Sequence, residues 1–293
     1  YNSLDTLALH YWFSLLEPLT RKNNFYDLQF QGKRCVIDFF QLSGDYEKEE
    51  SESKLLLQEA EKAGSMIGMV VALQSLGNAY IVTYRDEEAL AAYEKAYVLS
   101  CKIDNPALTL EIIHSVTEVI QKIKDYPKWL KYVKLEEDCI NESIRHSKVN
   151  FSLQSCILMM YIHYVAYYTK VGDMDMAKYY YHLADSTYRT LPEAGLYQEY
   201  HARVSSDYLR KSGQYEKALP QVDTLMMLFR PVSPLSYNAA FEERGEILHL
   251  MGRDAEALDL LKVAKKRRDS LQIELLNTQT EQVKSIHDVY VLQ

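Results

Sequence analysis

The sequence predicts an all-α fold in which about six helical hairpins stack as an α-solenoid. Three observations support this expectation. The 293 residues contain only 10 Gly and 7 Pro, which suits long helices better than many short strands. Apolar residues recur with the period of an α-helix, and a short turn motif returns six times along the chain.

Residues 73–96, with the sequence LQSLGNAYIVTYRDEEALAAYEKA, show the repeating unit most clearly. Two apolar helix faces are separated by a polar break at residues 85–87. The small or apolar positions are Leu73, Leu76, Gly77 and Tyr80 in the first helix and Ala89, Leu90, Tyr93 and Ala96 in the second. Gly77 and Ala89 are small enough for two helices to cross closely. Such a hairpin cannot bury its apolar face alone, so it needs stacked neighbours.

The turn inside this hairpin recurs along the chain. Its six copies are Gly44-Asp45-Tyr46, Tyr84-Arg85-Asp86, Lys124-Asp125-Tyr126, Gly172-Asp173-Met174, Gly213-Gln214-Tyr215 and Gly252-Arg253-Asp254. Successive turns begin 40, 40, 48, 41 and 39 residues apart. They predict paired helices over residues 25–43 with 46–63, 66–83 with 86–103, 107–123 with 127–147, 150–170 with 174–190, 196–211 with 215–229, and 235–250 with 254–268. A helix over residues 3–21 caps the first hairpin, or is the second helix of a repeat whose first helix is missing.

The order Leu-Gly-x-x-Tyr followed by Ala-x-x-x-Tyr-x-x-Ala resembles the tetratricopeptide repeat, a helix-turn-helix unit. The resemblance covers roughly residues 25–268 and implies a right-handed superhelix, with helices longer than in the usual repeat of about 34 residues. It is weaker in the first and third hairpins, where Glu49, Trp129 and Glu136 stand at positions that are mostly small elsewhere.

Residues 269–293 contain no turn motif and form a polar helical extension of the last repeat helix. We therefore divide the chain into an α-solenoid over residues 1–268 and a long C-terminal helical extension over residues 269–293. Leu276, Val283 and Tyr290 recur every seven residues, which leaves two interpretations open. The extension is a coiled-coil linker, through which the chain forms a homodimer, or it folds back on the last repeat as a capping helix.

The resemblance also implies that the first helix of each pair lines a concave groove. The candidate binding residues on that face are Arg34, Asp38, Gln41, Gln74, Asn78, His114, Glu118, Gln121, Tyr200, Arg203, Asp207, Arg210, Glu242, Glu246 and His249. They suit a protein or peptide partner, or a small polar ligand. Arg203 and Arg210 are able to bind a carboxylate bidentately. The alternative is a solvated face with local ion pairs, such as Arg203 with Asp207.

Composition and motifs exclude several other functions. A net charge of −8 disfavours nucleic acid, and no run of about 18 apolar residues predicts a membrane span, so we expect no membrane contact by this fragment itself. The motifs of phosphate-binding loops, metalloprotease helices and serine hydrolases do not occur, so we expect no enzyme, no cofactor and no metal. Four buried free thiols are expected at Cys35, Cys101, Cys139 and Cys156. The 24 tyrosines favour packing between long helices over a recognition surface.

The end of the chain resembles a particular group of repeat proteins. The matching residues are Lys265-Lys266-Arg267-Arg268-Asp269-Ser270-Leu271, Leu275-Leu276-Asn277 with Gln279, and Ser285-Ile286-His287-Asp288-Val289-Tyr290. They are similar to the end of the repeat domain in tetratricopeptide sensor proteins of Bacteroidetes. There the last repeat helix runs towards a membrane helix, which a histidine kinase or a DNA-binding domain follows.

This second resemblance implies the extracytoplasmic, periplasmic sensory region of a membrane-bound two-component sensor histidine kinase or transcriptional regulator. The start at Tyr1 without Met would then reflect a removed signal peptide. The alternative is a freestanding tetratricopeptide scaffold or adaptor in the cytoplasm, which binds a peptide or protein partner.

Overall fold

The computed structural model describes residues 14–20, 22, 25–146, 152–231 and 233–291 of the chain. Over these ranges the protein is all-α and contains no strand. Residues 14–20 are helical, and twelve longer helices follow. They are α1 (Tyr26–Ser43), α2 (Tyr46–Ala63), α3 (Met66–Val82), α4 (Asp86–Ser100), α5 (Pro106–Ile123), α6 (Tyr126–Arg145), α7 (Leu153–Val171), α8 (Met174–Thr190), α9 (Gln198–Lys211), α10 (Tyr215–Phe229), α11 (Pro234–Leu250) and α12 (Asp254–Val291).

The helices form the six predicted hairpins in the predicted order, which confirms the all-α helical-repeat architecture. The 3-10 turn Ala194–Tyr197 lies before α9. The predicted N-terminal helix over residues 3–21 is helical at residues 14–20, and its other positions lie outside the described residues. Lys22, directly after the predicted helix, is also helical.

The chain forms two compact units, Tyr1–Met160 and Tyr161–Gln293. The first unit contains hairpins one to three and the start of α7. The second unit contains the rest of α7 and the hairpins that follow. Within each unit, hairpins pack through buried apolar and small side chains.

A left-handed backbone at the first turn residue explains why the turn motif recurs. Four of the six first residues are glycines with φ between 74° and 86°, and the other two are Tyr84 (φ 60°) and Lys124 (φ 63°). This conformation costs a side chain about 1–2 kcal/mol but costs glycine little. At the second turn residue, the carboxylates of Asp45, Asp125 and Asp173 accept hydrogen bonds from backbone N–H groups three residues later, which caps the second helix.

Lys124→Gly is therefore expected to raise the free energy of unfolding by about 0.5–1 kcal/mol, because relief of the left-handed strain exceeds the added chain entropy. Lys134→Gly provides the control, since Lys134 is exposed inside α6 and the same substitution there should cost about 1 kcal/mol. Urea-induced unfolding followed by circular dichroism measures both. Equal destabilisation by the two substitutions would contradict this account of the turn.

Close helix approach occurs where the sequence predicts it. A Cβ atom added at Gly77 would overlap the ring of Tyr93, which is buried on the partner helix of the same hairpin. The Tyr93 hydroxyl donates to the Asn78 side-chain oxygen at 2.6 Å. The position five residues after the start of each turn is buried in all six hairpins, and it is Ala in four of them. Glu49 and Trp129 occupy it in the other two, and each is 1% exposed.

The last helix, α12, continues for 38 residues from Asp254 to Val291, which confirms the long C-terminal helix. The heptad positions Leu276, Val283 and Tyr290 have side chains outside the described residues, so the coiled-coil and capping interpretations both stay predictions. The division at residues 268 and 269 also stays a prediction. None of the described helices combines the length and the apolar character that crossing a membrane requires.

Candidate functional site

The predicted binding residues lie on the first helices of the hairpins, and many of them join two polar networks. The N-terminal network consists of Arg34, Asp38, Gln74 and Glu111 in the first unit. The C-terminal network consists of Lys170, Asp207, Arg210, Glu243 and Glu246 in the second unit. The concave groove itself stays a prediction.

The N-terminal network connects the first helices of three successive hairpins. Arg34 on α1 donates to the Gln74 Oε1 atom on α3 at 2.7 Å and to the Glu111 Oε1 atom on α5 at 3.0 Å. The Gln74 amide nitrogen donates to the same Glu111 oxygen at 2.8 Å, which closes the ring of hydrogen bonds. Gln74 is buried, whereas the Glu111 carboxylate reaches the surface. The network therefore extends from the core to solvent.

Two carboxyl groups at this network, those of Asp38 and Glu49, have raised pKa values. Asp38 is 3.6 Å from the Arg34 Nε atom, and burial raises the Asp38 pKa while Arg34 lowers it and Glu111 adds to the rise. Glu49 on α2 is buried, and its Oε2 atom has no hydrogen-bond partner within the described part of the chain. Burial, and secondarily the nearby Asp38, raises the Glu49 pKa to about 7. Burial also raises the pKa of Tyr93 above its usual range, with Glu49 contributing in the same direction.

The other predicted residues of the first unit are half-buried on the same first helices but outside the hydrogen bonds just described. They are Gln41 on α1, Asn78 on α3, and His114, Glu118 and Gln121 on α5. Asn78 is held by the Tyr93 hydroxyl. Their role in binding stays a prediction.

The C-terminal network repeats the arrangement in the second unit. Asp207 on α9 accepts from the Arg210 Nη2 atom at 2.9 Å and from the Lys170 Nζ atom on α7 at 2.7 Å. The Arg210 guanidinium also lies 3.9 Å from Glu243 and from Glu246 on α11. These longer distances are ion pairs rather than hydrogen bonds, and the Arg210 Nε atom is buried without a hydrogen-bond partner. Burial raises the Glu243 pKa, and Arg210 opposes that rise.

Local ion pairs occur on α9, but not the pair of Arg203 with Asp207 that was given as the example of the alternative interpretation. Arg203 forms its ion pair with Glu199, one helical turn before it, and Asp207 pairs with Arg210 and Lys170 instead. Both alternatives satisfy the spacing of neighbours on a helix face, so sequence spacing could not choose between them. The two arginines of the predicted carboxylate clamp thus contact different acidic residues.

Two predicted residues of the last hairpin have partners on α12. Glu242 accepts from the Arg268 guanidinium at 2.7 Å, and the His249 Nδ1 atom lies 2.6 Å from an Asp254 carboxylate oxygen across the turn. Tyr200 is half-buried near the start of α9. Sequence reasoning missed Glu111, Lys170 and Glu243. Glu243 lies one residue from the predicted position Glu242, and the charges of Lys170 and Glu243, opposite to those of their partners, were the only signal.

Several tyrosines of α7, α8 and α9 pack against one another, as expected. The Tyr180 ring stacks on Tyr164 with centroids 4.3 Å apart and on Tyr168 at 5.6 Å. Tyr181 stacks on Tyr208 at 4.4 Å. These contacts join α7, α8 and α9 in the second unit, which confirms packing as the role of these rings.

The expectation of four buried thiols is wrong for two of them. Cys35 and Cys101 are exposed, whereas Cys139 and Cys156 are partly buried, and all four are free. Cys35 faces outward on α1, and Cys101 directly follows the last residue of α4. Burial raises the pKa of both Cys139 and Cys156 to about 11, so neither thiol is a ready nucleophile at neutral pH.

Comparison with known proteins identifies the fold. No protein-family model and no curated protein matches the sequence. Among solved structures, BtubC (BKLC) from P. vanneervenii has a TM-score of 0.54 and 13% identity, over 78% of this chain and 92% of that chain. The Rap conjugation gene regulator of plasmid pLS20, solved with the Phr* peptide, has a TM-score of 0.52 and 16% identity, over 86% of this chain and 77% of that one.

A signal transduction ATPase with numerous domains from Pyrococcus horikoshii, which carries a tetratricopeptide repeat sensor, has a TM-score of 0.51 and 16% identity. The match covers 88% of this chain and 39% of that one. At such identities the similarity establishes architecture alone. The six hairpins, their turn motif and these structural neighbours together show that the chain has the tetratricopeptide-repeat fold.

Proposed function

We propose that the first-helix face binds an extended peptide or a segment of a protein partner, without catalysis. The observation that carries this proposal is that charged and amide side chains connect successive first helices in both units. An extended peptide presents N–H and C=O groups at regular intervals, and it needs donors and acceptors spaced along the helices to satisfy them. The Rap regulator, solved with a peptide, has the same architecture and supports this choice of partner.

The internal partners of the two networks also suit exchange with a ligand. Arg210 contacts Glu243 and Glu246 only at 3.9 Å, and Arg34 donates to a Glu111 carboxylate that is open to solvent. A peptide carboxylate or carbonyl would replace these contacts with shorter ones. Because arginine is enriched among the residues that dominate binding energy, Arg34 and Arg210 are the residues to test.

Arg34→Gln and Arg210→Gln are each expected to weaken binding to an array of random ten-residue peptides by about 10-fold or more, which corresponds to about 1.4 kcal/mol. Arg253→Gln is the matched control, because among the described residues Arg253 pairs with Glu256 alone, and this substitution should change binding less than about 2-fold. If all three substitutions have the same effect, or if no peptide is bound above background, the proposal is wrong. If the protein binds a small polar solute and no peptide, the ligand belongs instead to the class of small polar molecules.

The finer proposal is that the chain is the extracytoplasmic sensory region of a membrane-bound two-component regulator. Two features support it: the similarity of the segment from Lys265 to Tyr290 to sensor proteins, and the continuity of α12 beyond the last hairpin. A ligand that favours one arrangement of the hairpins would shift the direction of this helix. The alternative is a freestanding cytoplasmic adaptor with the same binding face.

The native coding sequence on both sides of residues 1 and 293 distinguishes the two. A signal peptide upstream, with a membrane helix and a kinase or DNA-binding domain downstream, supports the sensor. A stop codon directly after residue 293 supports the adaptor.

A further inference from the structure

A basic and apolar groove lies on the last hairpin and uses none of the network residues. The loop before α11 and the first turn of that helix contribute Arg230, Pro234 and Tyr237. The middle of α12 contributes Val263, Lys266, Arg267, Ser270 and Leu271. The groove has a volume of about 640 Å³. We refer to it below as the hairpin-six groove.

The cations of the hairpin-six groove have no carboxylate partner among the residues whose side chains the structure describes. Residues 262–268 carry five Lys and Arg in a chain whose net charge is −8. Arg268 pairs with Glu242, but across the part of the chain that the structure describes Arg230, Lys266 and Arg267 form no ion pair. Three uncompensated positive charges therefore meet in one groove of an acidic protein.

Ring contacts hold one of these cations in place. The Arg267 guanidinium carbon lies 4.8 Å from the centroid of the Phe241 ring and 5.7 Å from that of Tyr237. Such cation–π contacts fix the guanidinium while its N–H groups remain available as donors. Arg267 is thus oriented before any ligand arrives.

We propose that the hairpin-six groove binds an organic anion whose apolar body carries one carboxylate or sulfonate. Arg267 and Lys266 would bind the oxyanion, and Val263, Leu271 and Pro234 would contact the apolar body. The volume lies within the range of about 300–1,000 Å³ that is typical of small-molecule sites. An inorganic anion would leave the apolar wall unused, and a neutral ligand would leave the cations unpaired.

Fluorescence titration with anilinonaphthalene sulfonate tests the proposal on the full chain. We expect saturable binding that decanoate displaces and that acetate and decyltrimethylammonium do not. The double variant Lys266→Gln/Arg267→Gln should weaken binding by about 10-fold or more, since two charge-assisted contacts are lost. The matched control is Lys262→Gln/Lys265→Gln, which removes the same charge from exposed positions of α12 outside the groove and should change binding less than about 2-fold.

Three outcomes would overturn the proposal. The first is equal weakening in both double variants, which indicates general electrostatic attraction. The second is displacement by the cationic amphiphile as readily as by decanoate. The third concerns binding of the chain to phosphatidylglycerol vesicles. If the control double variant weakens that binding and the groove double variant does not, the basic residues of α12 serve a membrane surface. Circular dichroism checks that each variant is folded. The single variant Lys266→Gln keeps the contacts of Arg267 with the aromatic rings, and it should still weaken binding by about 3-fold or more.

Discussion

Replacing Trp129 with Ala is expected to lower the free energy of unfolding by about 3–5 kcal/mol, the range for truncating a buried tryptophan. Trp129 is 1% exposed and is among the largest fully buried side chains of the described residues. Its ring stacks on Tyr126 at a centroid distance of 6.3 Å. The corresponding position in four other hairpins is a buried Ala, so the helices around the third hairpin must be spaced to hold the indole. Replacing the indole with a methyl group would leave a cavity there.

Tyr179→Ala serves as the control, because the Tyr179 ring is 58% exposed at the surface of α8 and touches Tyr180 only edge-on. It should cost about 1 kcal/mol or less. Urea-induced unfolding followed by circular dichroism compares the two, since the substitution also removes a fluorophore. A loss below about 1 kcal/mol for Trp129→Ala would show that the neighbouring helices close the space, and the rigid packing described here would then be wrong.

The hairpins were predictable because their signals are local. Helical period, left-handed turn residues and capping aspartates all act within a few residues, and the sequence displays them directly. Buried Glu49 and Trp129 were visible as departures from the repeat pattern, but their burial depends on neighbouring hairpins. Exposure of Cys35 and Cys101 likewise depends on which helix face the next hairpin covers.

The sequence predicted which helices carry the candidate residues, but it did not predict which side chains they contact. The sequence places Arg34, Gln74 and Arg210 on the first helices of their hairpins, and the structure has them on these helices. Long side chains choose partners according to the rotation between neighbouring helices, which no local signal specifies. For that reason Glu111 and Lys170 were missed, although they complete the two networks.

Glu49 is expected to make the protein less stable as the pH rises from about 4.5 to about 7. Burial, with Asp38 nearby, raises its pKa from the ordinary 4.5 to about 7 in the folded state. Between these values the folded chain keeps a proton that the unfolded chain releases, so rising pH favours unfolding. The stabilising contribution is complete below about pH 4.5 and is lost above about pH 7. A difference of about 2.5 pKa units corresponds to about 3 kcal/mol.

Glu49→Gln removes this titration while keeping the size of the side chain, and so it isolates the effect. The free-energy difference between the variant and the wild type should grow by about 3 kcal/mol in favour of the variant across this pH window. Two titratable groups interact electrostatically with Glu49, namely Asp38 and Tyr93, and both remain in the two proteins. The pH dependence that they cause independently of Glu49 therefore cancels in the comparison, whereas the part that arises from their interaction with Glu49 belongs to the effect being measured.

Glu47→Gln makes the same substitution at an exposed position of α2 and should leave the pH dependence of the wild type unchanged. Urea-induced unfolding at intervals from pH 4.5 to pH 8 provides the measurement. A constant difference between wild type and Glu49→Gln over that range would mean that the Glu49 carboxyl is solvated or paired. The buried Glu49 carboxyl interacts electrostatically with Asp38, which belongs to the network that is proposed to bind a peptide. Peptide affinity should therefore shift in the pH range where Glu49 loses its proton.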